Sequence, residues 1–383
     1  MNACAGAFPL SEPVPARVAL LGSGTVGRAV WARLAGWKDG VLGHRLQLAY
    51  VANSRTAQAA PLASGVDLQQ LLGDSPQSSR LERVEAALAG AGTRIVIDAT
   101  ASDAVADRHP HWLAQGLHVV TACKLGQGTS LARWRAIREA AAAGGAFYGD
   151  SATVGAGLPL LRTLRALQAG GDRIHAIAGG LSGSLAWLFH HYDGLRPFSG
   201  FVRQAQAAGY TEPDPREDLS GEDVRRKLLI LARAAGVPLE AADVRVQSLV
   251  PESLAGVPRA ALDAALPVLD APLRARYAAA YKSGQVLCFI ARLHADGRAT
   301  VGLEALAADD PLAGGSSTDN RVAIWCDRYP HQPLVVQGPG AGAEVTAAAL
   351  LDDALAIQAA CAYDFTPKNS AIGSGRWNAN PWA

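Results

Sequence analysis

The tightest constraint on what this chain can fold into is a six-residue run near its start, Gly22-Ser23-Gly24-Thr25-Val26-Gly27, together with what flanks it. Before it, Arg17-Val18-Ala19-Leu20-Leu21 is the short apolar run of a strand buried on both faces. After it, Thr25 to Leu34 reads as a helix. In that order a GxGxxG has a physical purpose. Its first glycine permits a tight turn, its second lets the backbone approach a pyrophosphate, and its third lets helix and strand pack closely. The helix N-terminus then supplies amides and partial positive charge. In a chain with 40 glycines the motif alone says little, and the flanking elements give it weight. Gly22, Gly24, Thr25, Val26 and Gly27 are therefore candidate nucleotide contacts.

Strands continue to alternate with helices. His44 to Ala52, Arg94 to Thr100 and His118 to Thr121 read as strands, and Leu131 to Ala143 as a helix. The pattern predicts an α/β fold, a Rossmann-type doubly wound parallel sheet over residues 15–147. From Asp150 onward, glycine-rich turns alternate with long helices, with strands expected around Arg173 to Ala178 and Gln285 to Leu293. This predicts an inserted α+β domain over 148–318. The apolar strand Leu334-Val335-Val336 and the helix Val345 to Ala360 are expected to rejoin the first unit, so that 319–360 completes it. Residues 1–14 read as an N-terminal arm and 361–383 as a loose tail.

Charge excludes several classes. The 383 residues carry 35 Lys plus Arg against 34 Asp plus Glu, with no long basic or acidic block, so neither nucleic acid nor an anionic membrane surface is expected as a partner. No charged secretory start and no uncharged apolar run of about 18 residues is present, which leads to the expectation of a soluble, cytoplasmic protein. The five cysteines are scattered and lack CxxC spacing, arguing against a disulfide framework or a zinc site. His109-Pro110-His111 and His190-His191 lack ligand spacing and read as packing or surface residues.

The second expected strand ends in Asn53-Ser54-Arg55. NAD-binding versions of the fold usually place an acid there for the ribose 2'-hydroxyl. Without a carboxylate to repel a 2'-phosphate, and with a guanidinium able to meet it, NADP is favoured over NAD.

Charges gather in one stretch, 209-GYTEPDPREDLSGEDVRRK-227. Ser220 reads as a helix N-cap and Ser220-Gly221-Glu222-Asp223 as a capping box entering a helix. Asp223 and Lys227 then lie one turn apart on one face. In the preceding loop Pro213 and Pro215 restrict the backbone, so several carboxylates are held where they can grip an ammonium group.

The longer segment 205-AQAAGYTEPDPREDLSGEDVRRK-227 resembles the signature of the homoserine dehydrogenases. Five further segments support the resemblance: 97-IDATASDAVAD-107, 119-VVTACKLG-126, 150-DSATVGAGLPLL-161, 179-GGLSGSLAWLF-189 and 338-GPGAGAEVTAA-348. They span about residues 16 to 355 in family order, with close likeness to the dehydrogenase half of bifunctional kinase-dehydrogenases. The resemblance implies NAD(P)-dependent interconversion of L-homoserine and L-aspartate 4-semialdehyde, on the route to threonine, methionine and isoleucine. It implies a homodimer, and an inserted domain that carries catalysis and dimerisation. As no kinase segment precedes it in the sequence, a monofunctional enzyme with little threonine feedback is expected.

Carried over by position, the resemblance makes Lys227 the proton donor and Lys124 a second active-site lysine near nicotinamide and substrate. Glu212 and Asp223 would hold homoserine, with Asp218 beside them. Gly209, Gly342, Thr100 and Ala101 would approach the nucleotide. A sodium ion would be held by backbone carbonyls of Ser151, Val154, Ala156 and Leu158. The family commonly has Pro-Asn before its lysine where this chain has Ala122-Cys123. Two other readings stay open here: a reductase of another small amino-acid semialdehyde, and a catalytically silent NADPH-binding sensor.

Overall fold

The structure, a computed structural model, describes residues 14–62, 65–314 and 318–364. Its first unit runs β1 (Ala16–Leu21), α1 (Thr25–Trp37), β2 (Leu46–Ala52), β3 (Ala57–Ala59), α2 (Leu68–Gly73) and α3 (Arg83–Ala87). It continues through β4 (Arg94–Asp98), α4 (Asp103–Ala114), β5 (His118–Thr121), α5 (Leu131–Gly144) and β6 (Tyr148–Gly149). The strand order is β3-β2-β1-β4-β5-β6, parallel except for the short β3. Alternation within β1 explains why the sheet is covered twice. Val18 and Leu20 join one core and Ala19 and Leu21 another, so both faces must be packed. From β1 the chain winds first to β2 and later to β4 on the other side. That reversal opens a crevice at the carboxyl ends of β1 and β4, the ligand position of such sheets.

The second unit runs α6 (Leu160–Ala169), β7 (Ile174–Gly180), α7 (Gly183–His191), α8 (Phe198–Ala207), α9 (Pro215–Leu219) and α10 (Glu222–Ala234). Next come β8 (Val244–Val246), α11 (Glu252–Ala255), α12 (Leu262–Ala265) and α13 (Asp270–Lys282). Then follow β9 (Gln285–Leu293), β10 (Ala299–Ala307), β11 (Asp319–Cys326) and β12 (Tyr329–Pro339). Its sheet has the order β12-β11-β7-β9-β10-β8 and is antiparallel except where β8 joins β10. One face is buried under α6, α7, α8, α10 and α13, through residues such as Leu164, Leu185, Phe201, Leu228 and Leu273.

Here the structure corrects the sequence reading. Leu334-Val335-Val336, expected beside the nucleotide sheet, lies in β12 at the edge of the second sheet, and β11 pairs with β7. Local pattern does not distinguish the two sheets, since either accepts a short apolar strand; pairing register across a long sequence gap decides. Only α14 (Ala343–Asp364) returns to the first unit, where Ala347, Leu350, Leu351, Ala354 and Ile357 join the core around β1. Residues 361–364, expected in the tail, continue this helix, while 365–383 and residues 1–13 of the expected arm lie outside the described residues. By length and composition Ala343–Ala362 could cross a membrane. Its inner face is instead occupied. Leu350, Leu351 and Ile357 are fully buried, each contributing on the order of 1.5–3 kcal/mol, and buried Asp353 accepts hydrogen bonds from Ser151 and Arg162.

Candidate active site

The glycine loop occupies the crevice. A Cβ on Gly27 would lie 1.9 Å from the Gly22 carbonyl, and one on Gly22, at φ +105°, would lie 2.7 Å from the Ala99 carbonyl and 3.2 Å from Thr100 Cγ2. Close packing thus demands both glycines and sets Gly22 beside the loop of Thr100 and Ala101. Gly24 differs. Nothing lies within 4 Å of a Cβ built there, and as N-cap of α1 it offers no side chain to the first amides, near Thr25 and Val26. No acid occupies the first turn either, so the helix end can receive an anion. At the end of β2, Asn53 Oδ1 accepts from the amides of Arg55 and Thr56, both at 2.8 Å, and leaves Arg55 exposed at the turn.

Lys124 arrives from β5, whereas Asp223 and Lys227 are presented by α10. The structure brings all three together. Lys227 Nζ lies 2.9 Å from Asp223 Oδ2, and Lys124 Nζ lies 3.4 Å from Asp223 Oδ1. Burial by itself would raise the Asp223 carboxyl, but Lys227 and Lys124 outweigh it and hold the group down to about 2. Lys227 also donates to the Leu181 carbonyl at 2.7 Å. An ammonium has three donors, so two of them fix its direction and the third remains for a substrate oxygen.

Glu212 is exposed on the loop before α9. Although the residue reaches solvent, its carboxyl is raised, chiefly by partial desolvation against the protein and then by the charges of Asp218, Glu217 and Asp223. Asp218, expected to bind substrate, has both oxygens engaged: Ser184 Oγ donates to one at 2.7 Å and the Glu212 amide to the other at 2.8 Å. These two bonds tie Asp218 to the Glu212 loop and leave a further lone pair on each oxygen. Gly209 ends α8, where the amides of Gly209 and Tyr210 bond back to Gln206 and Ala205 in a Schellman turn. Its φ of +73° explains the glycine, and the space beyond it is open. Gly342, at φ +126°, precedes α14.

Ser220 is not the cap of α10. Residues 215–219 already form α9, capped by Asp214, and the Ser220 hydroxyl bridges the two helices, donating to the Glu217 carbonyl at 2.8 Å and accepting from the Glu222 amide, the first of α10, at 3.2 Å. Gly221, at φ +77°, is the N-cap of α10. Pro at the first helical position makes the five-residue turn viable, a start signal overshadowed by the stronger pattern that follows. Arg216 braces this turn through Asp214 and the carbonyls of Leu254, Ala255 and Val257.

Below Lys124 lies a hub that the sequence reading missed. Buried Asp98 accepts from the Thr100 amide and hydroxyl, from Thr121 Oγ1 at 3.1 Å, and faces His109 Nε2 at 3.1 Å. Thr121 Oγ1 in turn accepts from the Cys123 amide, so one carboxylate orders both loops that flank the crevice. His109 is thus a packing histidine with a defined purpose. Burial and the Asp98 charge push the Cys123 thiol up to about 11, which keeps it protonated. The signal was a buried acid at a strand end in 97-IDAT-100, legible only with its partners in view.

The loop of Ser151, Val154, Ala156 and Leu158 is buried as far as Ala156, opens to solvent at Gly157, and reverses through Gly155 at φ +75° and Ala156 at φ +50°. A left-handed alanine is strained and persists where its surroundings hold it. Among the described residues no group of three His, Cys, Asp or Glu could hold a metal, so an ion here would rest on carbonyl oxygens, ligands suited to a hard cation.

Two family descriptions match the chain: the homoserine dehydrogenase NAD binding domain over residues 22–148, and homoserine dehydrogenase over residues 159–355. This chain belongs to the homoserine dehydrogenase family. The family's members are NAD(P)-dependent oxidoreductases acting on a CH–OH group. The first match begins just after β1 and takes in the rest of the first unit as far as β6, and the second takes in the second unit and runs on into α14. Bifunctional aspartokinase/homoserine dehydrogenase 2 of Escherichia coli (strain K12) is 41% identical over 259 residues, covering 68% of this chain and 32% of that protein. The chain thus spans about a third of the length of this bifunctional relative. The homoserine dehydrogenase of Emericella nidulans is 38% identical over 278 residues, covering 70% of this chain and 76% of its own. A hyperthermophilic archaeal homoserine dehydrogenase solved in complex with NADPH shares the fold, with a TM-score of 0.68, 20% identity, and coverage of 90% of this chain and 98% of that one.

Proposed function

We propose that the protein is a homoserine dehydrogenase, oxidising L-homoserine to L-aspartate 4-semialdehyde with NADP and running the reverse reduction with NADPH. The observation that carries this reading is the arrangement of Lys124 and Lys227 on the two oxygens of Asp223, beside the Glu212 loop and at the mouth of the nucleotide crevice.

The nicotinamide cofactor supplies the hydride acceptor or donor when bound. The chain's own residues handle charge and protons. Lys227, aimed by Asp223 and Leu181, gives a proton to the oxygen that develops alkoxide charge in reduction and takes it back in oxidation. Lys124 sets a second positive charge at that oxygen. Glu212 grips the substrate ammonium, and Asp218 keeps that carboxylate in place. Asn53 and Arg55 support NADP over NAD, since neither repels a 2'-phosphate and Arg55 stands exposed at the β2 turn. The NADPH complex of the archaeal relative supports the same choice. The carbonyls of Ser151, Val154, Ala156 and Leu158 are the candidate sodium ligands. A homodimer is the proposed assembly, formed through the face of the second sheet opposite its helices, where Ala178 and Ala323 pack with Trp325 and Val335.

The test is spectrophotometric, with homoserine and each nicotinamide dinucleotide, on wild type and Lys227→Ala. Wild type is expected to form NADPH faster than NADH, and the variant to lose about 10²–10⁴ in kcat. Absence of homoserine-dependent reduction in wild type, or full activity in the variant, refutes the reading.

A further inference from the structure

We propose that Arg233 is a positioning residue for the reaction: from the last turn of the helix that carries Asp223 and Lys227, it fixes the backbone that carries Lys124. The inference deepens the homoserine dehydrogenase reading and rests on it.

The problem it solves is geometric. Lys124 follows β5 of the first sheet, while Asp223 and Lys227 belong to the second unit. Two units that merely touch would not keep both ammonium groups on one carboxylate. Arg233 lies in α10 some ten residues after Asp223, about 15 Å along the axis, and is 2% exposed. Its guanidinium reaches away from its own helix. Nη1 donates to the Gln127 carbonyl and Nη2 to the Thr129 carbonyl at 2.8 Å, both on the loop that begins at Lys124. Nε and Nη2 hold Leu239 at 3.1 and 2.8 Å.

Neighbouring contacts complete the clamp. Glu240 Oε2 accepts from the Leu131 amide at 3.0 Å, where α5 begins. Between these anchors Gly128 donates to the Lys124 carbonyl at 2.7 Å, closing a turn on the lysine itself. A Cβ on Gly128 would lie 2.8 Å from that carbonyl and 3.1 Å from the carbonyl of Arg226, the residue before Lys227. The turn is therefore pressed against α10 next to the proton donor.

Stability alone does not account for an arginine here. Its nearest carboxylate, Glu240, is 4.0 Å away, so the buried charge is satisfied by carbonyls rather than by a close ion pair. An apolar side chain of similar length would fill the site at less desolvation cost. What it would not do is address two carbonyls of the lysine loop in fixed directions.

The test compares Arg233→Met, Arg233→Lys and Gly128→Ala with wild type, measuring kcat, KM for homoserine, NADPH affinity by fluorescence, and melting temperature. Arg233→Met is expected to lower kcat about 10–100-fold, the scale of a 1 Å misplacement, with KM and NADPH affinity within about threefold. Arg233→Lys should recover part of the loss, and Gly128→Ala should reproduce it with Arg233 intact. Wild-type kcat in Gly128→Ala or in a folded Arg233→Met overturns the inference, as does a loss of NADPH affinity in step with kcat. If Arg233→Met does not fold, Arg233→Lys and Gly128→Ala decide. A wild type inactive on homoserine fails the function reading instead, whatever the variants do.

Discussion

Asp223 and Glu212 are two carboxylates in one site with opposite electrostatics, and pH separates them. Asp223, between two lysines, has its carboxyl lowered to about 2. A depressed carboxyl contributes stability that is fully present above its unfolded value of about 3.9 and is lost as pH falls through the folded one. Asp223 therefore stays ionised over the whole working range and cannot set an acid limb. Glu212 is raised by partial desolvation and by its acidic neighbours, so it takes up its proton above the usual carboxylate range. Protonation would remove the charge proposed to hold the substrate ammonium. KM for homoserine should rise as pH falls through that value, with kcat little changed. Glu212→Gln should raise KM roughly 10–100-fold, the worth of a charge-assisted hydrogen bond of about 1.5–3 kcal/mol, and should flatten the acid limb. A variant that keeps the wild-type limb would move its origin elsewhere.

At the scale of elements, the loop between β1 and α1 separates packing from binding within three residues. Gly27→Ala drives a Cβ into the Gly22 carbonyl, and overpacking of this kind costs about 1–3 kcal/mol. It should lower the melting temperature and weaken NADPH binding together. Gly24→Ala enters open space at φ −70°, so it should leave the melting temperature unchanged yet weaken NADPH binding about tenfold or more. Calorimetry with fluorescence titration checks both, and a Gly24→Ala protein that binds as wild type would remove the pyrophosphate from that position. This loop was legible in the sequence because its evidence is local: strand, glycines and helix are adjacent. Lys227 beside Asp223 was legible for the same reason, as one helical turn. Asp98, Ser184 and Arg233 were not: the first two lie within segments that carry the resemblance, but what each of the three does depends on a partner distant in sequence, which no local pattern reveals. The break at Gly221 was hidden by a serine that suits a helix start and here ends the helix before it.

For the whole molecule, the chain crosses between its two sheets twice, and the candidate site draws Lys124 from the first unit and Asp223 and Lys227 from the second. The outward crossing leads from β6 into the Ser151 to Leu158 loop; the return leads from β12 into α14. Asp353 ties the two, since it belongs to α14 and accepts from the Ser151 amide at 2.9 Å and from Arg162 at 2.8 Å. Among the described residues, helices cover the second sheet on one face. Its other face carries the small cluster of Ala178, Ile290, Leu306, Leu312 and Ala323, with Trp325, Val335 and Cys288 packed against it and partly exposed. A sheet of alternating side chains that buries one face and leaves apolar groups on the other is suited to an isologous dimer contact, in which the same face meets itself. Trp325→Glu places a charge on that face in each subunit at once, whereas Leu195→Glu, at an 83% exposed leucine outside it, does not. Light scattering should give a dimer mass for wild type and Leu195→Glu and a monomer mass for Trp325→Glu, with NADPH binding retained in all three because the glycine loop belongs to the other sheet. A wild type that is monomeric, or a Trp325→Glu protein that remains a dimer, removes this face from the assembly.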